Sequence, residues 1–548
     1  MDRLGHLAAC DTVRSGDLTL YSDATLFERN ALSEKLQLPL ESSDGQLILA
    51  AYRRWGRDCA AHLNGDFRFI IEDRANDAVL AVVDHMAVRP LFYAETPSGL
   101  VFSSSTRALV DHLGGEPALN EQRVANLLIN FMSWSATETL CRDIHKVPFA
   151  HSIAWHGAVK SLRRYWHPSD AQPLDLPDAA AYVERGREVL GAAIRDRAIN
   201  QASLGAHVSG GLDSCAIAGL STQMRRDAGL SDPIGLAWQS WSSNDPPDTE
   251  GGWIASFHRK SRINVVAAVP TTEDALGLLR LDLAADYNAG NLFNEIAVQR
   301  AAREQGIGLI LSGLGGDEAL TFNGKYMASH HARRGRLVPL ARLHPSGGMR
   351  GLAAGIVQAA REVLDRGELV VEPSKMRKTL ASDALLARVI VEPSWRAHTG
   401  NPRGHQIDRL SQGYLSERIE VLAQSGERHG IRYSFPMLDR RVLEFALGAP
   451  VELYWQGKTR RWLFREMMRG VLPETVRLNQ NKREPLRVGL VQDAVIPALR
   501  EAGALIAQRS DFCRAELLDM DRLRAQLLAP ENAKGFAHLR LAVQLLDW

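Results

Sequence analysis

Apolar positions follow one rhythm up to about residue 166 and a different one beyond about residue 180. In the first region, RFIIED (68–73), AVLAVVD (78–84), LFYAE (91–95) and LVFSSS (100–105) are short apolar or alternating runs. Turn signals such as DRAND and TPSG divide them, which is the grammar of paired β-strands. SIAWHGAVKSLRRYW predicts another hairpin, turning at His156-Gly157. The Pro- and Asp-rich piece HPSDAQPLDLPD (167–178) breaks the pattern and predicts a linker. Beyond it, AAAYVERGREVLGAAIRDRA has helical spacing and precedes the strand-like LGAHV. The apolar runs IGLAW (234–238), INVVAAV (263–269) and IGLILSG (307–313) then alternate with helical stretches. Such alternation predicts a parallel, doubly wound sheet that seats ligands at the carboxyl ends of its strands. The chain after about residue 350 reads as mostly helical. The domains expected are therefore 1–166 and 181–548, joined by a linker at 167–180.

Composition narrows the class without changing this picture. A chain of 548 residues, 45% hydrophobic and 24% charged, fits a soluble globular protein of two to four domains. A formal net charge of +1 provides no global attraction to nucleic acid or to an anionic membrane. No apolar run is long enough to cross a bilayer, and MDRLGHLAACD lacks the basic start and apolar stretch of a secretory signal. Five scattered cysteines without a CxxC pair suit reduced thiols and argue against a structural zinc site. The expectation is a cytoplasmic protein with neither nucleic acid nor membrane as partner.

The stretch HVSGGLDSCAIAGL (207–220) carries the first chemistry. Two serines, two glycines and an aspartate stand between a strand-like run and a helix-like run. A tight turn there aims backbone N–H groups and the positive helix end at one point, which suits a phosphate. Ser209, Gly210, Gly211, Leu212, Asp213 and Ser214 are the expected cradle. No lysine lies in or beside the loop, so it is not the Walker type. Asp213 would repel phosphate oxygens unless a divalent cation lay between them, so the loop asks for polyphosphate with Mg²⁺. SGGLDS resembles the pyrophosphate loop of the N-type ATP pyrophosphatases, which cleave ATP to AMP and pyrophosphate.

A wider resemblance covers nearly the whole chain. YRRWGRDCAAHLNGDFRFIIED and VDHMAVRPLFYAETPSGLVFSSSTRALV resemble the class II glutamine amidotransferase domain of asparagine synthetases. SGGLDS, SGLGGDEALTFNGKY (312–326), RYSFPMLDRRVLEFALGAP (432–450) and GKTRRWLFREMMRGVLPETVRLNQNKREP (457–485) resemble the synthetase domain, in the right order. The fold implied is α/β: a remnant amidotransferase-like domain of NTN type (αββα), followed by a doubly wound ATP-pyrophosphatase domain. Amidotransferases of this type use an N-terminal cysteine, whereas residue 2 here is Asp2. A carboxylate cannot replace a thiolate in releasing ammonia from glutamine. Cys10, the nearest thiol, has no free amine beside it. The N-terminal domain is thus expected to be a glutaminase remnant.

Without a glutaminase, the resemblance points to β-lactam synthetases, carbapenam synthetases or the lasso-peptide macrolactam cyclases. The first two use a tyrosine and a glutamate as base, and those positions fall here on Leu314 and Arg432, which cannot serve. RYSFPMLDRRVLEFALGAP and NQNKREP resemble the lasso cyclases. The reaction implied is adenylation of an internal Asp or Glu side chain of a ribosomally made precursor peptide. Attack by the peptide's N-terminal amine follows, with release of AMP and pyrophosphate. A leader peptidase and a leader-recognition protein are the partners that this family implies. The cofactors implied are ATP and Mg²⁺, with Asp213 and Asp317 on the metal and Gly313 and Gly315 in the second nucleotide-binding turn. An Asp after Gly-Gly can instead cap a helix. Lys482 would neutralise charge at the acyl-adenylate and Lys458 would hold pyrophosphate. Arg460, Arg461, Arg465 and Arg469 are spaced as a solvated helix face, and Glu318 is expected to be structural. His330, His331 and His344 fall in a basic, glycine-interrupted segment expected at the surface, where it could cover the substrate. Trp238 and Trp241 suit either an adenine site or the core. The alternatives are an AMP-forming amide or β-lactam synthetase acting on a small molecule, an asparagine synthetase-like enzyme using free ammonia, and a non-catalytic peptide-binding scaffold.

Overall fold

Alternating side chains sort the first region into layers. A computed structural model describes residues 10–97, 99–115, 118–129, 135–157, 159–281, 292–364, 379–390, 401–480, 487–509, 511–512, 514–530 and 536–546. Among the described residues, nine strands lie ahead of the linker: β1 (Asp11–Ser15), β2 (Leu18–Leu26), β3 (Gly65–Asp73), β4 (Ala78–Val83), β5 (Phe92–Thr96), β6 (Gly99–Ser103), β7 (His145–Lys146), β8 (His151–His156) and β9 (Val159–Arg164). They pair as an antiparallel sheet β1-β2-β3-β4-β8-β9 and a smaller sheet β6-β5-β7. On β3 and β4, Phe67, Phe69, Ile71, Leu80 and Val82 face α1 (Arg29–Leu36) and α2 (Asp44–Trp55), packing with Leu32, Leu47 and Ile48. The alternate residues Ile70, Val79, Ala81 and Val83 face the smaller sheet through Tyr93 and Phe102. That sheet turns Phe92 and Val101 to Leu109 and Val110 of α3 (Thr106–His112), which α4 (Glu121–Ile129) follows. Period-two alternation on two stacked sheets thus yields the αββα order.

The second region is built as a parallel sheet. Asp178 caps α5 (Ala179–Ala198) by accepting from the Ala181 N–H at 2.9 Å. β10 (Leu204–His207), β11 (Ile234–Ala237), β12 (Val265–Ala267), β13 (Leu309–Leu311) and β14 (Arg432–Ser434) pair in parallel in the order β12-β11-β10-β13-β14. Between them run α6 (Leu212–Asp227), α7 (Glu250–Ser261), α8 (Thr272–Leu279) and α9 (Leu292–Glu304). Leu190, Ile194, Ile217, Phe257, Val298 and Ile310 share one buried core across these layers. The described chain beyond residue 350 is largely helical but also contributes β14 and the hairpin β15 (Trp455–Gln456) and β16 (Thr459–Arg460). β14 is a strand that the apolar patterning does not signal.

The two regions share a buried polar seam. Arg197 of α5 donates to Asp66 of β3 at 3.2 Å and to Asp439 at 2.7 Å, with all three side chains at most 3% exposed. Arg68 pairs with Glu427 at 2.9 Å, Lys146 with Glu420 at 3.1 Å, and His85 Nε2 contacts the Leu438 carbonyl at 2.7 Å. Met86 and Val88 sit in the same apolar core as the parallel sheet. Among the described residues no helix is long and apolar enough to cross a membrane.

Candidate active site

Two glycine turns at neighbouring strand ends meet. The first leaves β10 and enters α6, whose N-cap is Gly211. Gly210 has φ +71°, and a Cβ there would lie 2.8 Å from the Glu250 carbonyl oxygen, so both backbone and space demand glycine. The loop is tied internally. The Ser209 N–H donates to Ser214 Oγ at 3.1 Å, the two hydroxyls lie 2.8 Å apart, and the Gly211 N–H donates to Ser209 Oγ at 3.3 Å. The second turn leaves β13, and a Cβ on Gly313 would sit 2.8 Å from the Ser214 nitrogen. The turns therefore touch backbone to backbone. Asp317 belongs to a run of turns, and the next helix begins only at Met327, so no helix is there for it to cap.

Arg461 joins the two carboxylates. Its guanidinium lies 2.5 Å from Asp317 Oδ1 and 4.0 Å from Asp213 Oδ2. A cation thus already lies between the residues expected to share Mg²⁺, and two carboxylates beside a phosphate-type turn form the hard oxygen donor set that ion prefers. The donor set fits the metal.

These turns form one wall of a cavity of about 810 Å³. Ser209, Gly210, Gly211, Leu212, Asp213 and Ser214 line it, as do Gly313, Gly315 and Asp317. Much of its positive charge comes from arginines whose spacing predicted a solvated face, and Arg409 and Arg418 add to it. Arg460, Arg461 and Arg465 all line the cavity. β16 ends at Arg460, Arg461 turns the chain in the left-handed region at φ +57°, and α-helix Trp462–Met467 carries Arg465 inward to 3% exposure. Arg465 donates to the carbonyls of Arg460 and Asn479 at 2.8 Å each, and to that of Arg477. Burial, with Arg461 nearby, pushes its pKa down to about 10, so it stays cationic at neutral pH. Arg469 keeps the predicted exposed role, paired with Glu466 at 2.6 Å, and Arg460 is exposed as well although it lines the cavity. Lys458 stands in the exposed turn between β15 and β16 and is absent from the cavity lining. Lys482 and Asp2 lie outside the described residues.

The structure also brings forward residues that the sequence motifs did not mark. Glu295 of α9 accepts from Tyr433 OH at 2.7 Å and Trp238 Nε1 at 3.1 Å, and it contacts His207 Nε2 at 2.9 Å. Burial works to raise its pKa, but attraction to His207 when that ring is charged, together with these hydrogen bonds, outweighs it and holds the carboxyl below the usual range. His207 Nδ1 lies 3.1 Å from Ser312 Oγ. The one hint in the sequence was a histidine ending the otherwise apolar strand LGAH. Trp238 lines the cavity, whereas Trp241 bonds the Val265 carbonyl at 3.2 Å and lies against His258. Leu314 lines the cavity, but Arg432 points to Asp23 of β2 at 3.3 Å. Glu318 is buried and pairs with Arg409 at 2.8 Å.

Two further expectations meet the structure differently. His330 and His331 are buried rather than at the surface. His330 Nε2 meets Glu452 at 2.9 Å, and burial together with the neighbouring His330 lowers the His331 pKa to about 4. The helix Met327–Arg333 turns both rings inward, and only His344 of the three is exposed. Cys10 is half-buried, and burial raises its pKa, which works against a thiolate nucleophile.

The asparagine synthase family profile matches residues 185–547, and that of the glutamine amidotransferase domain matches residues 14–166. The chain belongs to the asparagine synthase family. Among its relatives are Asparagine synthetase (glutamine-hydrolyzing) 3 of Bacillus subtilis, 23% identical over 52% of this chain and 49% of that protein. Another is Amidase chyE of Penicillium rubens, 22% identical over 53% of this chain and 44% of that protein. The chain spans about half the length of the curated relatives it matches.

Proposed function

We propose that this chain is an AMP-forming carbon–nitrogen ligase that closes a macrolactam within a ribosomally made peptide, as in lasso-peptide biosynthesis. The observation that carries the reading is the meeting of the two glycine turns, with Asp213 and Asp317 held around one cationic group at the cavity wall. A carboxylate does not condense with an amine at neutral pH, so it is first activated. Its oxygen attacks the α-phosphorus of ATP, pyrophosphate leaves, and the amine then displaces AMP from the acyl carbon. Ser209, Ser214 and the N–H groups at the start of α6 hold the pyrophosphate. Asp213 and Asp317 would hold Mg²⁺, which would supply charge neutralisation at the phosphates. Arg461 and Arg465 add fixed positive charge, and the family resemblance adds Lys482.

The nucleophile follows from what the chain lacks. Leu314 and Arg432 stand where the small-ring synthetases keep a base, and Arg432 points away from the cavity toward Asp23. A peptide α-amine has a reference pKa near ~8, so a useful fraction is unprotonated at neutral pH, and proximity supplies most of the rate. The lining also includes Tyr414, flanked by Arg409 and Arg418 at 5.0 and 5.4 Å from its ring, which offers stacking and charge to a peptide segment. A leader peptidase and a leader-recognition protein complete the proposed system.

The test uses linear peptides with a free N-terminus and one internal Asp or Glu, incubated with ATP and Mg²⁺. The expected result is one AMP and the loss of one water per peptide closed, read by mass spectrometry. Changing the internal acid to its amide should stop AMP formation. Acetylating the N-terminus should leave adenylation and abolish closure. Equal closure of the blocked peptide would overturn the α-amine assignment and favour a small-molecule amide synthetase.

A further inference from the structure

Four neighbouring parallel strands end on one buried polar cluster. His207 closes β10, Trp238 follows β11, Ser312 follows β13 and Tyr433 lies in β14, while Glu295 reaches them from α9. From β10 the chain winds outward through β11 to β12, then returns to β13 on the other side of β10 and continues to β14. The winding therefore reverses between β10 and β13, and such a crevice is where open α/β sheets seat ligands. His207 and Ser312 stand on the two strands that flank it, and both line the cavity.

The hydrogen bonds select one tautomer of a neutral His207 ring. Tyr433 and Trp238 both donate to Glu295, which therefore serves as an acceptor toward His207 Nε2 at 2.9 Å. In the neutral imidazole that contact places the proton on Nε2 and leaves Nδ1 as a lone-pair acceptor, 3.1 Å from Ser312 Oγ. In that tautomer the serine hydroxyl donates to Nδ1 and accepts from the Leu314 N–H at 3.3 Å, which leaves a second lone pair for a donor in the cavity. Ser312 is also next to Gly313, which packs on the backbone of Asp213 and Ser214, so the hydroxyl stands beside the phosphate turn. His207, Glu295 and Ser312 are each at most 5% exposed, so water competes little for these contacts.

We propose that Ser312, His207 and Glu295 form the relay that takes the proton from the amine attacking the acyl-adenylate. The proposal rests on the acyl-adenylate chemistry stated above. As the nitrogen bonds to the acyl carbon, the carbon–oxygen bond to AMP breaks and AMP leaves with its electron pair. The surplus N–H proton passes to Ser312 Oγ while the serine's own proton passes to His207 Nδ1. The imidazolium is stabilised by Glu295 and returns the proton to solvent after closure. Ser312 touches the nucleophile and is the catalytic residue. His207 and Glu295 act through it. The titratable groups facing the imidazole are Glu295 from α9 and Tyr433 from β14.

The experiment separates the two half-reactions in the full-length protein. The probe is a linear peptide with a free α-amine and an internal glutamate. Exchange of labelled pyrophosphate into ATP reports activation, and loss of one water reports closure. His207→Gln and Ser312→Ala should keep exchange near the wild-type rate and slow closure by at least about a hundredfold, the scale of one general base. Ser312→Ala removes a single oxygen and keeps the test open if His207→Gln does not fold. Closure at the wild-type rate in a folded variant would overturn the relay, and so would exchange and closure falling together. Absence of exchange in the wild-type protein would instead sink the ligase reading, and the relay with it, since exchange needs no proton acceptor for the amine.

Discussion

Asp84 and Asp213 each belong to a turn that follows a strand, one in the antiparallel half and one in the parallel half. Asp84 is fully buried, and its two oxygens accept from the N–H groups of Phe67, Met86, Val88 and Arg89 at 3.0–3.2 Å. Burial pushes its pKa up, against the charge of His85. Asp213 sits in the first turn of α6 at the cavity wall, with a guanidinium 4.0 Å away. One carboxylate is surrounded by backbone donors that cannot leave, so it defines the shape of a turn. The other meets a side-chain cation across a cavity, an arrangement that can rearrange around a ligand. Burial and charge alone do not separate structural from functional carboxylates; the kind of partner does.

The largest expected effects break this comparison in opposite directions. Asp213→Ala and Asp317→Ala should each cut AMP formation by at least about a thousandfold, the scale of several kcal/mol of metal-assisted charge stabilisation. Their urea midpoints should stay near that of the wild type. Asp84→Ala should do the reverse, because it strands four buried N–H groups at about 1–3 kcal/mol each before relaxation. A large drop in the urea midpoint is the measurement. If Asp84→Ala stayed as stable as the parent while AMP formation failed, the division between the two carboxylates would be wrong.

The next effect concerns the seam that holds the halves together. Burial would raise the Asp439 pKa, but Arg197 and Arg441 hold it well below the usual carboxylate range. A carboxyl with a depressed folded pKa contributes stability above its unfolded value, near ~3.9, and that contribution is lost as pH falls through the folded value. Arg197→Met should destabilise the protein by about 3–5 kcal/mol at neutral pH, because buried Asp66 loses its cation and buried Asp439 keeps only Arg441 at 2.8 Å. It should also flatten the loss of stability below about pH 4, since less of the Asp439 shift remains to be lost. A thermal melt series from pH 7 to pH 3 on both proteins checks both statements. An unchanged midpoint at neutral pH would show the seam to be replaceable by packing.

Much of the fold was legible because its signals are local. The alternating runs in 68–105 matched strands of two stacked sheets, and the glycine turns followed apolar runs that became β10 and β13. Both turns were placed at strand ends by residue type alone. The remainder of the site depends on contacts that no local pattern encodes. Glu295 lies 88 residues from His207 and 138 from Tyr433 along the chain. β14 is three residues long and exists only because β13 pairs with it. The arginines depart from their helical spacing for a related reason. Arg460 ends a strand and Arg461 adopts a left-handed turn, so the helix starts later and faces elsewhere.

That segment gives the smallest and most discriminating prediction. Lys458 and Arg461 are three positions apart on one basic hairpin, yet only Arg461 lines the cavity and reaches Asp317. Arg461→Met keeps much of the stem and removes the charge, so it should slow AMP formation by about a hundredfold, as for one lost electrostatic stabiliser. Arg461→Lys should recover little, because an ammonium cannot present a planar fork to carboxylate and phosphate oxygens together. Lys458→Met, in an exposed turn, should change AMP formation by no more than about twofold, within the ~0.5 kcal/mol expected of a surface substitution. Comparable losses at Lys458 and Arg461 would mean that the hairpin folds over the phosphates when ATP binds. The pyrophosphate contact expected of Lys458 would then be formed in the liganded protein, and cavity lining without ATP would understate the site.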